Sequence, residues 1–129
     1  MKEEAKLLMY NGGYLLINDF QKKDDYFSAS ATIKSNWYEA NIKFTSSKER
    51  FVEFVSLLNK MLMEEYTDVN FINEDGNFDI DLSLDKATGI CSIKGVLIEN
   101  MMDEALLKFS LESDFQSLLN FYQELKLVI

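Results

Sequence analysis

Hydrophobic and polar positions along this chain follow two periods, and the pair of periods occurs twice in the same order. Tyr38, Ala40, Ile42 and Phe44 share one face of a period-two run, with Trp37, Glu39, Asn41 and Lys43 on the other, the pattern of a strand buried on one side. Phe51, Phe54, Val55, Leu58 and Leu62 then recur at the spacing of an amphipathic helix that covers a sheet. Further on, Ala105, Leu107 and Phe109 alternate toward Leu118, Phe121, Tyr122, Leu125 and Ile129, which places the strands 65 positions apart and the helices 67. Upstream, Phe27, Ala29, Ala31 and Ile33 match Cys91, Ile93, Gly95 and Leu97 at a spacing of 64. One supersecondary unit therefore fills the chain twice, over residues 1–64 and 65–129. Each unit alone would expose an apolar face that its partner can cover, so the reading is one domain with a shared core.

The alternation predicts strands near 5–10, 13–20, 25–34 and 36–45 and a helix over 47–63, then strands near 68–73, 77–84, 90–99 and 103–111 and a helix over 114–127. Strand follows strand through short turns, which implies antiparallel pairing. Asn73-Glu74-Asp75-Gly76-Asn77 reads as a hairpin turn, because Asp-Gly suits positive backbone φ. Both helices open on a capping box, Ser46 with Glu49 and Ser113 with Gln116, and this match sets the helix offset at 67. The expected fold is α+β: two β-meander-plus-helix repeats whose antiparallel sheets form a sandwich or a curled sheet with two packed helices. There is no proline and no linker, and the glycines fall at apparent turns or, as Gly95, in a strand.

Chemistry enters mostly by exclusion. The chain has no histidine, which removes Ser-His-Asp and Cys-His catalysis, His-containing zinc sites and the usual neutral-pH proton shuttle. No phosphate loop or dinucleotide fingerprint occurs. Carboxylates are abundant, as in glycoside hydrolysis, but nothing in the sequence pairs them. The expectation is no catalytic residue, no metal and no cofactor. The lone Cys91 cannot form an internal disulfide and alternates with Ile93, as a small core thiol would. Residues 7–10 form a short apolar stretch broken at once by Asn11, Gly12 and Gly13, and no run of 18 apolar residues follows, so neither a secretory signal nor a membrane span is expected.

Residues 1–64 carry nine acidic and nine basic side chains, whereas 65–129 carry thirteen acidic and four basic, so the second repeat holds the whole net charge of −9. Such a surface repels phosphate backbones, so nucleic acid is not an expected partner. It favours encounter with a basic protein, or simply keeps the chain soluble. The densest acidic stretch is Asp79-x-Asp81-x-Ser83-x-Asp85, whose alternation sends Phe78, Ile80, Leu82 and Leu84 inward. It fails as a calcium loop, since Leu84 stands where Gly is needed and Ile90 where a bidentate Glu is needed. The acidic stripe is either a solvated strand face or a partner-binding one. Trp37, on the polar side of its strand, is either covered by a neighbouring element or an interface anchor. Asp75, Asp79, Asp81, Asp85 and Trp37 are the candidate partner-binding residues.

The run Leu107-Lys108-Phe109-Ser110-Leu111-Glu112-Ser113-Asp114, followed by Leu118-x-x-Phe121-x-x-x-Leu125, resembles the closing segment of the WapI-type immunity proteins of bacterial polymorphic toxin systems. Phe51-x-x-Phe54-x-x-x-Leu58 is similar to that family's first helix, and residues 78–84 and 89–97 fall where its central hairpin lies. The resemblance spans residues 38–129. It implies a small cytoplasmic protein that binds and blocks a cognate toxin domain, without cofactor or turnover. The competing expectations are a small-ligand or lipid-binding domain with a cavity between sheets, prompted by ten Phe and six Met, and a homo-oligomeric adaptor that uses exposed strand edges.

Overall fold

A computed structural model describes residues 3–100 and 105–128. The first repeat contains β1 (Glu4–Leu8), β2 (Tyr14–Lys23), β3 (Tyr26–Lys34), β4 (Glu39–Ser47) and α1 (Lys48–Leu62), and the second contains β5 (Asp68–Ile72), β6 (Phe78–Leu84), β7 (Ile90–Asn100), β8 (Ala105–Asp114) and α2 (Phe115–Val128). Each set of four strands forms its own antiparallel sheet in sequence order. The arrangement is thus two sheets with two helices, not one curled sheet. The side chains of Ala105 and Ile129 and the strand start at 103–104, which the pattern included, lie outside the described residues.

Pairing registers test the repeat. Ala29 pairs with Phe44 in the first sheet and Ile93 with Leu111 in the second. If β3 maps onto β7 at 64, β4 maps onto β8 at 67, the helix offset, and not at 65. The two-residue slip keeps the same face inward, because strand periodicity is two. It arises because β8 runs into α2 without a break, as β4 runs into α1, so strand end and helix start move together. The capping boxes also shift by one residue. Ser47, not Ser46, caps α1 by accepting from Arg50 N at 3.2 Å, and Asp114, not Ser113, accepts from Ser117 N at 2.7 Å ahead of α2. Ser46 and Ser113 follow Phe44 and Leu111 on the inward face and are buried.

One cluster of buried residues spans both sheets and both helices. Its centre is aromatic. Phe27 and Phe44 of the first sheet, Phe51 and Phe54 of α1, and Phe71 and Phe78 of the second sheet meet ring to ring, with Phe44 and Phe78 bridging the sheets at 4.7 Å between centroids. Such tilted and edge-on pairs add about 0.5–1.5 kcal/mol each beyond area burial. These rings pack against one another at the centre of the shared core. Phe20 joins the cluster at 5.7 Å from Phe27 through a bulge between Asn18 and Gln21, where Asp19 has φ 56°. Without that extra residue, the alternation of Leu15 and Ile17 would face Phe20 outward.

The two repeats lock each other's sheet edges. The β5–β6 turn docks on β4: Asn73 Nδ2 donates to Thr45 O at 3.0 Å and Asn77 Nδ2 to Lys43 O at 2.9 Å. The β1–β2 turn docks on the corresponding edge of β8, with Tyr10 N donating to Glu112 O at 3.0 Å and Ser113 Oγ to Leu8 O. Thr45 and Glu112 are related by the helix offset of 67, so the exchange is reciprocal. The helices exchange as well, since α1 packs on β5 and α2 on β1.

Candidate partner-binding surface

The second sheet buries Phe78, Ile80 and Leu82 of β6, and alternation therefore turns Asp79, Asp81 and Ser83 to its outer face. The neighbouring strand β5 buries Val69 and Phe71 and turns Asp68 and Asn70 the same way. Asn70 pairs with Asp81 across the ladder, and its amide nitrogen lies 3.0 Å from Asp79 Oδ1 and 2.8 Å from Asp81 Oδ1. One side-chain amide thus holds two carboxylates side by side on a rigid strand. On β7 and β8 the same face carries Lys94, Lys108 and Glu112, so the negative charge is concentrated at the β5–β6 side. No ion pair ties Lys94 to Asp81 among the described residues.

The candidate residues separate into three places. Asp79 and Asp81 stand together on the outer face. Asp75 lies in the exposed turn before β6, in which Gly76 has the positive φ of 72° that the Asp-Gly pair predicts. Asp85 sits beyond the opposite end of β6, where its carboxylate accepts from Ala87 N at 2.9 Å and so shapes the β6–β7 turn. Trp37 belongs to the other sheet. It lies in the β3–β4 turn closed by Ser35 N donating to Tyr38 O, and it is 90% exposed, not covered by a neighbouring element. The strand assigned from 36 begins at Glu39, so Trp37 is a loop residue and not part of the strand's polar face.

Beside the acidic face stands a second acidic feature that the sequence reading missed. Glu74 accepts from Ser47 N at 3.2 Å and lies 3.7 Å from Arg50 Nε at the start of α1. Burial raises its pKa, but the hydrogen bonds from Ser47 and the charge of Arg50 outweigh this and hold the carboxyl below its ordinary value. A carboxylate there also meets the positive end of the helix dipole. Arg50 in turn donates to Ile72 O at 3.0 Å. The polar face of α1 and the turn residue Glu74 carry no motif, and only packing brings them together. Burial, aided by the charge of Asp114, pushes the Cys91 thiol up to about 12, so it stands as a neutral core group.

Among the described residues no cluster of three or more His, Cys, Asp or Glu is placed to hold a metal ion, and no helix is long and apolar enough to cross a membrane. No protein-family model and no curated protein matches the chain. A similar solved structure is that of MRP1/MRP2 from Trypanosoma brucei, with a TM-score of 0.57 at 9% identity over 98% of this chain and 82% of that one. At that identity the likeness extends to the fold alone.

Proposed function

We propose that this chain is a non-catalytic binding protein for a basic protein domain, and that its role is to neutralise a cognate toxin domain in the cytoplasm. The observation that carries the binding reading is the Asp79–Asp81 pair, fixed in parallel by Asn70 in the repeat that holds the whole negative charge. Charged groups already held in place lose little entropy on association and steer a positively charged partner. The toxin is suggested by the resemblance of residues 38–129 to the WapI-type immunity proteins. A cytoplasmic setting suits a chain whose single cysteine has no partner.

The test is the association rate with the product of the neighbouring gene, measured against ionic strength for the wild type and for Asp79→Asn with Asp81→Asn. Removing both charges is expected to slow association and flatten its salt dependence while leaving the unfolding midpoint in place. Identical rates and slopes would take this face out of the interface.

A further inference from the structure

Each sheet has two edges, and three of the four are closed by the other repeat. The edge of β4 is met by Asn73 and Asn77, and that of β8 by the β1–β2 turn. On β1, Lys6 N donates to Glu124 Oε1 of α2 at 2.9 Å, and Leu8 O accepts from Ser113. The fourth edge, β5, is different. Ile72 O accepts from Arg50 Nη1, which shows that the even-numbered residues of β5 turn their backbone groups outward, since inward and outward pairs alternate in an antiparallel ladder. Asn70 is therefore the counterpart of Lys6, at the spacing of 64 that separates the turn glycines Gly12 and Gly76, both of positive φ. Its N–H has no hydrogen-bond partner among the described residues. The reason lies in the helix: the α1 position 67 residues before Glu124 is Leu57, which has no acceptor.

The open edge faces a groove of about 630 Å³ between β5 and α1, within the ~300–1,000 Å³ usual for ligand sites. Phe54, Leu57 and Phe71 line it together with Glu49, Glu53 and Glu74. Arg50, the single cation among the described residues that line it, is engaged with Ile72 O and Glu74. Asp68, Asp79 and Asp81 extend the same sign of charge onto the adjacent sheet face.

We propose that this groove takes an extended peptide segment bearing Lys or Arg, supplied by a partner protein and added as a strand against β5. Backbone donors and acceptors of Asn70 and Asp68 would pair with the segment, alternate side chains would rest on Phe54 and Leu57, and the basic ones would reach the glutamates. The inference rests on the reading of this chain as a binder of a basic partner and names how that partner is held.

The probe is the heptapeptide Lys-Val-Lys-Val-Lys-Val-Lys with blocked termini, titrated into the isotope-labelled full chain and followed by amide chemical shifts. Saturable shifts are expected at Asp68, Asn70 and Ile72 and along the facing side of α1, with a Glu-for-Lys peptide giving none. N-methylation of alternate peptide bonds is expected to weaken binding about tenfold or more, because it removes strand pairing without touching charge. Leu57→Glu installs the acceptor that Glu124 provides in the other half, and is expected to weaken binding similarly although it adds negative charge. Tighter binding by Leu57→Glu, indifference to N-methylation, or shifts confined to the outer face of β6 would overturn the proposal. So would sedimentation of the free chain as a dimer with the Asn70 amide already protected, which would assign the edge to a second copy. Binding of the toxin that depends on Asp79 and Asp81 but not on Leu57→Glu would sink the groove and leave the acidic face standing.

Discussion

At the scale of single residues, the helix starts show how close two readings can lie. Ser46 and Ser113 satisfy the capping-box spacing, yet the alternation of Ile42, Phe44 and Ser46, and of Phe109, Leu111 and Ser113, already sends both serines inward. A residue on the buried face of a strand cannot also turn its side chain back over the first turn of the helix, so the cap passes to the next position. Ser47→Ala and Asp114→Ala are each expected to cost about 1 kcal/mol in urea unfolding, the usual loss for an N-cap, whereas Glu49→Ala and Gln116→Ala should change stability by less than about 0.5 kcal/mol. A larger loss at Glu49 would restore the box. Asp114 has its pKa lowered by the hydrogen bonds from Ser117, so its contribution is present above the ordinary carboxylate pKa and fades as pH falls below it. For Cys91 the sign is opposite. The unfolded thiol titrates near 9.0 and the folded one near 12, so the protein loses stability as pH rises through that window. Alkylation of the native chain at neutral pH should be slower than that of the urea-unfolded chain by orders of magnitude, and comparable rates would place the thiol at the surface.

At the scale of elements, strands, helices and their order were legible because one-sided burial imposes period two or 3.6 on the sequence. Phe44 and Phe109 are 2% and 6% exposed and Leu58 and Leu125 fully buried, as their inward positions require. What alternation could not reveal is how turns are used. Asn73-Glu74-Asp75-Gly76-Asn77 was readable as a hairpin turn from Asp-Gly alone, but its asparagines close an edge in the other sheet, 28 to 34 residues away. Asn73 is 2% exposed, and its side chain also binds Asn77 and accepts from Phe78 N. Asn73→Ala would leave Thr45 O and Phe78 N unpaired and is expected to cost about 2–3 kcal/mol, read from the urea midpoint. A loss under about 0.5 kcal/mol would mean that water replaces the lock. Gly95 is a second case. It pairs with Phe109, and a Cβ there would lie 2.4 Å from Asp79 O and 2.8 Å from the Phe109 ring. The backbone atom cannot yield, so Gly95→Ala should cost more than about 2 kcal/mol.

At the scale of the whole molecule, the repeat is an exchange as well as a duplication. Each half lends its first turn to the last strand of the other and takes the other's helix onto its first strand. The candidate surface follows from that exchange: the acidic face is a property of one sheet, whereas the β5 groove exists because α1 of the first repeat lies against β5 of the second. Asp79 and Asp81 could be found from alternation, since both sit on one strand. Glu49, Glu53 and Glu74 could not, because nothing in their spacing tells which strand the helix will meet. Exchange also predicts how the molecule comes apart. A half of about 64 residues would leave its strand edges and the apolar face of its helix in water, and at that size the margin of stability is only a few kcal/mol. The fragment 1–64 should therefore show no dispersed amide spectrum alone, nor should 65–129, whereas an equimolar mixture should recover the spectrum of the intact chain. Unfolding of the intact protein, followed separately by the amide signals of the first sheet and by far-ultraviolet circular dichroism, should give coincident urea transitions. Independent folding of either fragment, or a first-sheet transition well apart from the circular-dichroism signal, would show that the halves are neighbours and not mutual supports.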